Sequence, residues 1–245
     1  MKRILIFFAV LMFLPVGVLA VPVTILDTNV DRWGGEVFNS FSITVNNDPT
    51  LPMSFVIKTN YPQTGATING PQSNWITYPA DLLLGVNDGS GWVWDYAIPL
   101  INHQVGNGPQ FQAGGLYKAT PNDGSTSNAY WMSSDFKPAG TWDYNYAPVW
   151  LKGGDSTGWY GTWTWRTNPA GSEAAYSIEY SNANWSWTNL TDGDLLIGWT
   201  TATCANDTIW GTASPSPVPE PATMLLLGTG LVGLAGFGRK KLFKK

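Results

Sequence analysis

Gly154-Asp155-Ser156-Thr157-Gly158 has the spacing of a nucleophile elbow, G-x-S-x-G, in which a serine sits on a sharp strand-to-helix turn and attacks an acyl carbon. That chemistry needs a histidine later in the chain. The single histidine, His103, lies 53 residues earlier, and the chain lacks crossover helices, so the segment reads as a polar turn. His103 itself, in Ile101-Asn102-His103-Gln104, reads as a surface or turn residue. With one His and one Cys, multi-histidine metal centres, H-E-x-x-H proteases, thiolate clusters and internal disulfides are excluded. Cys204 reads as a small buried hydrophobe, with pairing between chains as the alternative.

Three other patterns point to ligands. Asp27-Thr28-Asn29-Val30-Asp31 spaces its oxygens like the start of a calcium loop, but Arg32 replaces the required glycine and Phe38 the bidentate Glu. Acidic loops, Asp192 and Asp194 included, leave room for one structural Ca²⁺; no other metal or cofactor is expected. Gly228-Thr229-Gly230-Leu231-Val232-Gly233 copies the dinucleotide fingerprint without the preceding strand or the later acidic residue. Two carboxylates suffice for a glycan hydrolase. The chain has 17 Asp and Glu, and no motif singles out a pair, so no catalytic residue is assigned and a non-catalytic role is expected.

Aromatic residues carry the remaining signal. All 14 Trp and all 10 Tyr lie between residues 21 and 217. Trp159, Trp163 and Trp165 share one parity, which sends them to one face of a strand and Tyr160, Thr162, Thr164 and Arg166 to the other. The three indoles read as core. A sugar-stacking platform is expected instead near Trp131 or Trp185-Ser186-Trp187.

The elements that hold these residues are strands. Apolar residues alternate at Val23, Ile25; Phe41, Ile43, Val45; Met53, Phe55, Ile57; and Tyr176, Ile178, Tyr180. Turn residues interrupt them at Asn69-Gly70, Asn87-Asp88-Gly89, Asn122-Asp123-Gly124 and Thr191-Asp192-Gly193. Asp81-Leu82-Leu83-Leu84-Gly85 and Asp194-Leu195-Leu196-Ile197-Gly198 are too short for helices and read as central strands, apolar on both faces. The spacing predicts one all-β domain over residues 22–210, an antiparallel β-sandwich or jelly roll.

The ends differ in kind. Met1–Ala20 places Lys2 and Arg3 before an apolar run and small residues, the pattern of a secretory signal peptide cleaved between Ala20 and Val21 by signal peptidase after Sec export. Residues 211–217 open a Pro-rich spacer whose prolines alternate at 215, 217, 219 and 221. Residues 222–238 are uncharged; a helix there spans roughly 25 Å, enough for a single short transmembrane crossing. Arg239, Lys240 and Lys241 behind it stay cytoplasmic, which puts the middle of the chain outside. Between residues 21 and 217 six basic residues face 16 acidic ones, a formal charge of −10. Such a surface repels phosphate, so no nucleic-acid partner is expected.

Pro219-Glu220-Pro221, the Gly-rich apolar stretch and the Arg239-Lys240-Lys241 tail, together residues 218–245, resemble the PEP-CTERM sorting signal of bacterial exosortase substrates. The resemblance implies a transient inner-membrane anchor in a Gram-negative-type bacterium, cut near Pro219-Glu220-Pro221 by an exosortase, and a product at the cell surface or in the extracellular matrix. More loosely, Phe41–Val45, Asp81–Leu84, Trp94–Ala97, Leu116-Tyr117 and Trp199–Asp207 resemble the cargo of exosortase-dependent surface proteins. The function expected is a structural or polysaccharide-associated one, with a carbohydrate-binding module or a secreted glycan hydrolase as alternatives.

Overall fold

The structure is a computed structural model, which describes residues 21–27, 39–49, 51–69, 74–87, 92–104, 107, 109–119, 151, 153–199, 209–216 and 228–233. The signal-peptide residues through Ala20, the calcium-like segment beyond Asp27, Trp131, Cys204, Pro219-Glu220-Pro221 and Arg239-Lys240-Lys241 lie outside the described residues.

Residues Val21–Ser216 form one compact unit built almost wholly of strands. In chain order these are β1 (Val23–Leu26), β2 (Ser40–Val45), β3 (Pro52–Thr59), β4 (Ala66–Asn69), β5 (Asn74–Thr77), β6 (Leu82–Asn87), β7 (Trp92–Ile98), β8 (His103–Gln104), β9 (Gln110–Phe111), β10 (Gly115–Lys118), β11 (Asp155–Thr167), β12 (Tyr176–Ser186), β13 (Leu195–Trp199) and β14 (Ile209–Ala213). Ten of them make one sheet in the order β1-β2-β3-β12-β11-β10-β7-β6-β13-β14, while β4–β5 and β8–β9 are separate hairpins.

Every neighbouring pair in the large sheet is antiparallel. Ten alternating strands leave the two edge strands, β1 and β14, antiparallel to one another, the condition for closing a barrel. They approach so closely that a side chain at Gly211 would collide with Ile25. Past the strand ends the Ser216 N–H donates to Asn47 O at 2.7 Å, and Asn47 Nδ2 donates to Ser214 O at 3.0 Å. The sheet is therefore nearly closed, which protects edges that would otherwise invite other strands.

The all-β, antiparallel expectation is borne out, and in place of a sandwich or jelly roll the strands form one nearly closed sheet. The two halves face each other across one core, but β11 joins them. Its first half pairs with β10 and its second with β12, through Gly161↔Asn182 to Thr167↔Tyr176. Where β11 changes partners it meets Gly114, whose φ of +79° is a left-handed conformation suited to glycine. Gly114 N donates to Pro99 O at 2.8 Å, and Gly114 O accepts from Gly161 N at 2.8 Å and from the Tyr180 hydroxyl at 3.0 Å. Any Cβ at Gly114 would overlap the Gly161 carbonyl.

The spacer is also corrected. Residues 211–213 belong to β14, paired through Leu195↔Ala213 and Ile197↔Gly211. Pairing stops where Pro215 withdraws a backbone donor.

Candidate functional site

Inward-facing residues of both halves make the main core: Ile25, Ile43, Phe55, Ile57, Ile178 and Tyr180 from one, Leu82, Leu84, Leu116, Ile197 and Trp199 from the other. β11 follows its predicted parity. Trp159, Trp163 and Trp165 pack against this core, while Tyr160, Thr162, Thr164 and Arg166 are exposed. The Trp163 indole donates to Pro99 O at 2.8 Å and packs on the Tyr180 ring at 4.8 Å between centroids.

Trp185 and Trp187, expected as an exposed sugar platform, are core residues at 2% and 0% exposure. Trp185 stacks on Trp159, 6.5 Å between centroids and 17° from parallel. Trp187 begins a 3-10 turn, Trp187–Asn189, and its indole N–H donates to Gly193 O at 2.9 Å. Two large apolar rings in alternate positions after Asn182 are drawn into the core because burying each is worth more than leaving it wet. Among the described residues Tyr160 is the most open aromatic, 43% exposed, while Tyr78, Trp94, Tyr96, Tyr176 and Trp210 are half-buried.

A second apolar cluster covers the outer face of β6, β7 and β10. Leu83, Ala97 and Tyr117 pack there against Ala80, Phe111, Ala119 and Leu151. All of β6 from Leu82 to Gly85 is buried, as is all of β13, which bears out the reading of both leucine runs as apolar on two faces.

Inside this outer layer lies a carboxyl–imidazole contact that local sequence patterns do not reveal. His103 is 8% exposed and Asp81 fully buried, with Nε2 and Oδ2 3.5 Å apart. Leu151 N donates to the same Oδ2 at 2.6 Å. The His103 Nδ1 and Nε2 stand 3.2 Å and 3.1 Å from the carbonyl oxygens of Ile101 and Leu151. Burial pushes the Asp81 carboxyl up to about 6, while the His103 charge and the Leu151 N–H pull the other way. The expectation of a surface histidine is thus corrected: the ring ties β8 and Leu151 to the start of β6. The one signal in the sequence is a carboxylate placed directly before an apolar run.

Both imidazole nitrogens face backbone carbonyls, and Nε2 also faces the Asp81 carboxyl. Ser156 does not stand on a strand-to-helix turn. It lies in β11, where its Oγ accepts from Gly158 N at 3.2 Å and lies 3.3 Å from the Tyr160 hydroxyl. The polar turn read for residues 154–158 is the opening of this strand. Among the described residues no three His, Cys, Asp or Glu gather as metal ligands. Asp192 and Asp194 are exposed beside the turn before β13.

Residues 217–240 match the family model of the PEP-CTERM protein-sorting motif. No curated protein and no solved structure matches the chain. The motif implies recognition by an exosortase, export and sorting to the surface. It begins one residue after Ser216, where the compact unit ends. Residues 228–233, inside the expected membrane span, are helical; among the described residues no helix is long and apolar enough to cross a membrane.

Proposed function

We propose that the chain is an exported barrel-like cargo that acts by association with extracellular polysaccharide at the cell surface or in the matrix, without catalysis and without a required cofactor. The observation that carries this reading is the sorting motif at 217–240 following directly on a compact cargo unit. The engaged nitrogens of His103 support the non-catalytic role. In this reading Met1–Ala20 is removed after Sec export, residues 222–238 hold the chain in the inner membrane, and Arg239, Lys240 and Lys241 keep its end cytoplasmic. The hydrophobic tail is then lost by cleavage near Pro219-Glu220-Pro221, much as a GPI signal is.

The test is deletion of the host exosortase, with the protein's C-terminus and location followed by mass spectrometry. Accumulation of the uncut form in the membrane fraction is expected. A C-terminus and location unchanged by the deletion would remove the sorting step from the account.

A further inference from the structure

Resting on the reading above that the sorting motif is cut, we infer that Asn47 is a positioning residue for that cut: it clasps the chain on both sides of Pro215 and so restrains the segment leading into the motif. Asn47 lies between β2 and β3 and is 7% exposed. Its Nδ2 donates to Ser214 O at 3.0 Å, and its own backbone O accepts from Ser216 N at 2.7 Å. A residue in a parallel strand grips its neighbour in this way, donating to the carbonyl before it and accepting from the N–H after it. Here the side-chain amide takes the place of the backbone donor. Pro215 has no N–H to offer, so the clasp uses the groups on either side of it.

Both partners are prepared for the contact. Ser214 and Ser216 each precede a proline, which biases them to an extended backbone and reduces the entropy lost when they are held. On the other side the turn is fixed by its own bonds. Asn46 N donates to Ser54 O at 3.1 Å, Asp48 N to Asn46 Oδ1 at 3.2 Å and Leu51 N to Asp48 O at 3.2 Å. The clasp thus ties the final residues of the compact unit, which follow the end of β14 at Ala213, to a rigid turn.

Its place in the chain gives it a consequence for processing. The motif starts at residue 217, and only Pro217 and Val218 separate Ser216 from Pro219. A peptidase takes its substrate as an extended segment, and two residues leave it little free chain ahead of Pro219. Opening the clasp frees Ser214, Pro215 and Ser216, which adds about 9 Å of extended chain. Cleavage beside folded structure proceeds from the locally opened form, and where opening is fast the rate follows the population of that form. Asn47 slows the cut by keeping that form scarce.

The experiment follows the full-length chain in its host by pulse-chase, with uncut and cut forms read on gels and the new C-terminus by mass spectrometry. Asn47→Ala removes one bond of the clasp, and Ser216→Pro removes the other from outside every strand. Each should speed the cut about five-fold, the effect of one hydrogen bond on the open fraction, with the cut position unchanged. Ser216→Pro decides the matter should Asn47→Ala lower the melting temperature. A Gly-Ser-Gly insertion between Ser216 and Pro217 supplies the free length directly. It should speed the cut of wild type as much, and in that background Asn47→Ala should add less than about two-fold. A gain from Asn47→Ala that is the same with and without the insertion would show lost stability rather than a released tether, and would overturn the inference. So would rates for Asn47→Ala and Ser216→Pro equal to or below that of wild type, while exosortase-dependent cutting of wild type persists. A wild-type chain left uncut near Pro219-Glu220-Pro221, or cut as fast without the exosortase, would overturn the sorting reading and this inference together.

Discussion

The two halves of the barrel present opposite outer faces. On the β11–β12 side the strands are covered once: indoles and tyrosines go in, while Thr162, Thr164 and Arg166 go out to water. On the β6–β7–β10 side the strands are covered twice, by the barrel core within and by Phe111, Leu151 and Ala80 without. A sheet covered once needs alternating residues, and a sheet covered twice needs continuous apolar runs. The same contrast separates their polar groups. Arg166 and Glu179 meet in solvent, where an ion pair adds little stability, whereas Asp81 and His103 meet in a layer that penalises any loose charge.

Substitutions can break or sharpen this contrast. The largest effect is expected where β11 passes from β10 to β12 and joins the two halves. Gly114→Val puts a branched side chain into a left-handed conformation and into the Gly161 carbonyl, at a cost of about 4 kcal/mol, read by urea denaturation. A loss under about 1 kcal/mol would mean that the close approach of Gly114 to Gly161 is not needed to join the two halves. Next, Leu83→Ala on the doubly covered side should cost about 3 kcal/mol, although Leu83 points away from the barrel interior. A surface-like cost there would show the outer layer to be loosely packed.

The third effect depends on pH. Folding raises the Asp81 carboxyl from 3.8 to about 6, so the native chain holds that proton more tightly than the unfolded chain does. Its contribution is full below about pH 4 and is lost as pH rises through about 6, an upper limit of about 3 kcal/mol. Asp81→Asn removes this titration. The stability of wild type relative to Asp81→Asn should therefore fall between pH 4 and pH 7 in denaturant titrations. A difference constant over that range would contradict the burial of an ionisable group there. The smallest effect is expected on the open side: Thr164→Ala should change stability by no more than about 0.5 kcal/mol, because its side chain faces water.

Local order is legible in the residues themselves. The parity of Trp159, Trp163 and Trp165, the alternation through Phe55 and Ile57, and the doubly buried leucine runs follow from a side-chain period of two. So does Tyr160 on the face opposite those indoles. The burial of Trp185 and Trp187 is not legible, because their neighbours Asn182, Asn184, Ser186 and Thr188 are polar, and composition does not reveal that both rings join the core. The burial of His103 is hidden for the same kind of reason. Its partners, Asp81 and the Leu151 backbone, are 22 and 48 residues away. The expected domain boundary at residue 210 falls short because Gly211–Ala213 gain strand structure from a partner, β13, that composition does not show.

The alternation of the strands, the acidic middle and the sorting motif are each written in adjacent residues, and the sequence alone suffices for them. That ten strands form one nearly closed sheet, that its two sides differ in cover, and that a histidine and an aspartate are sealed under one of them came only with the folded chain. Pleat parity is a property of neighbours along the chain, but the burial of an outer face depends on which distant segment comes to lie over it.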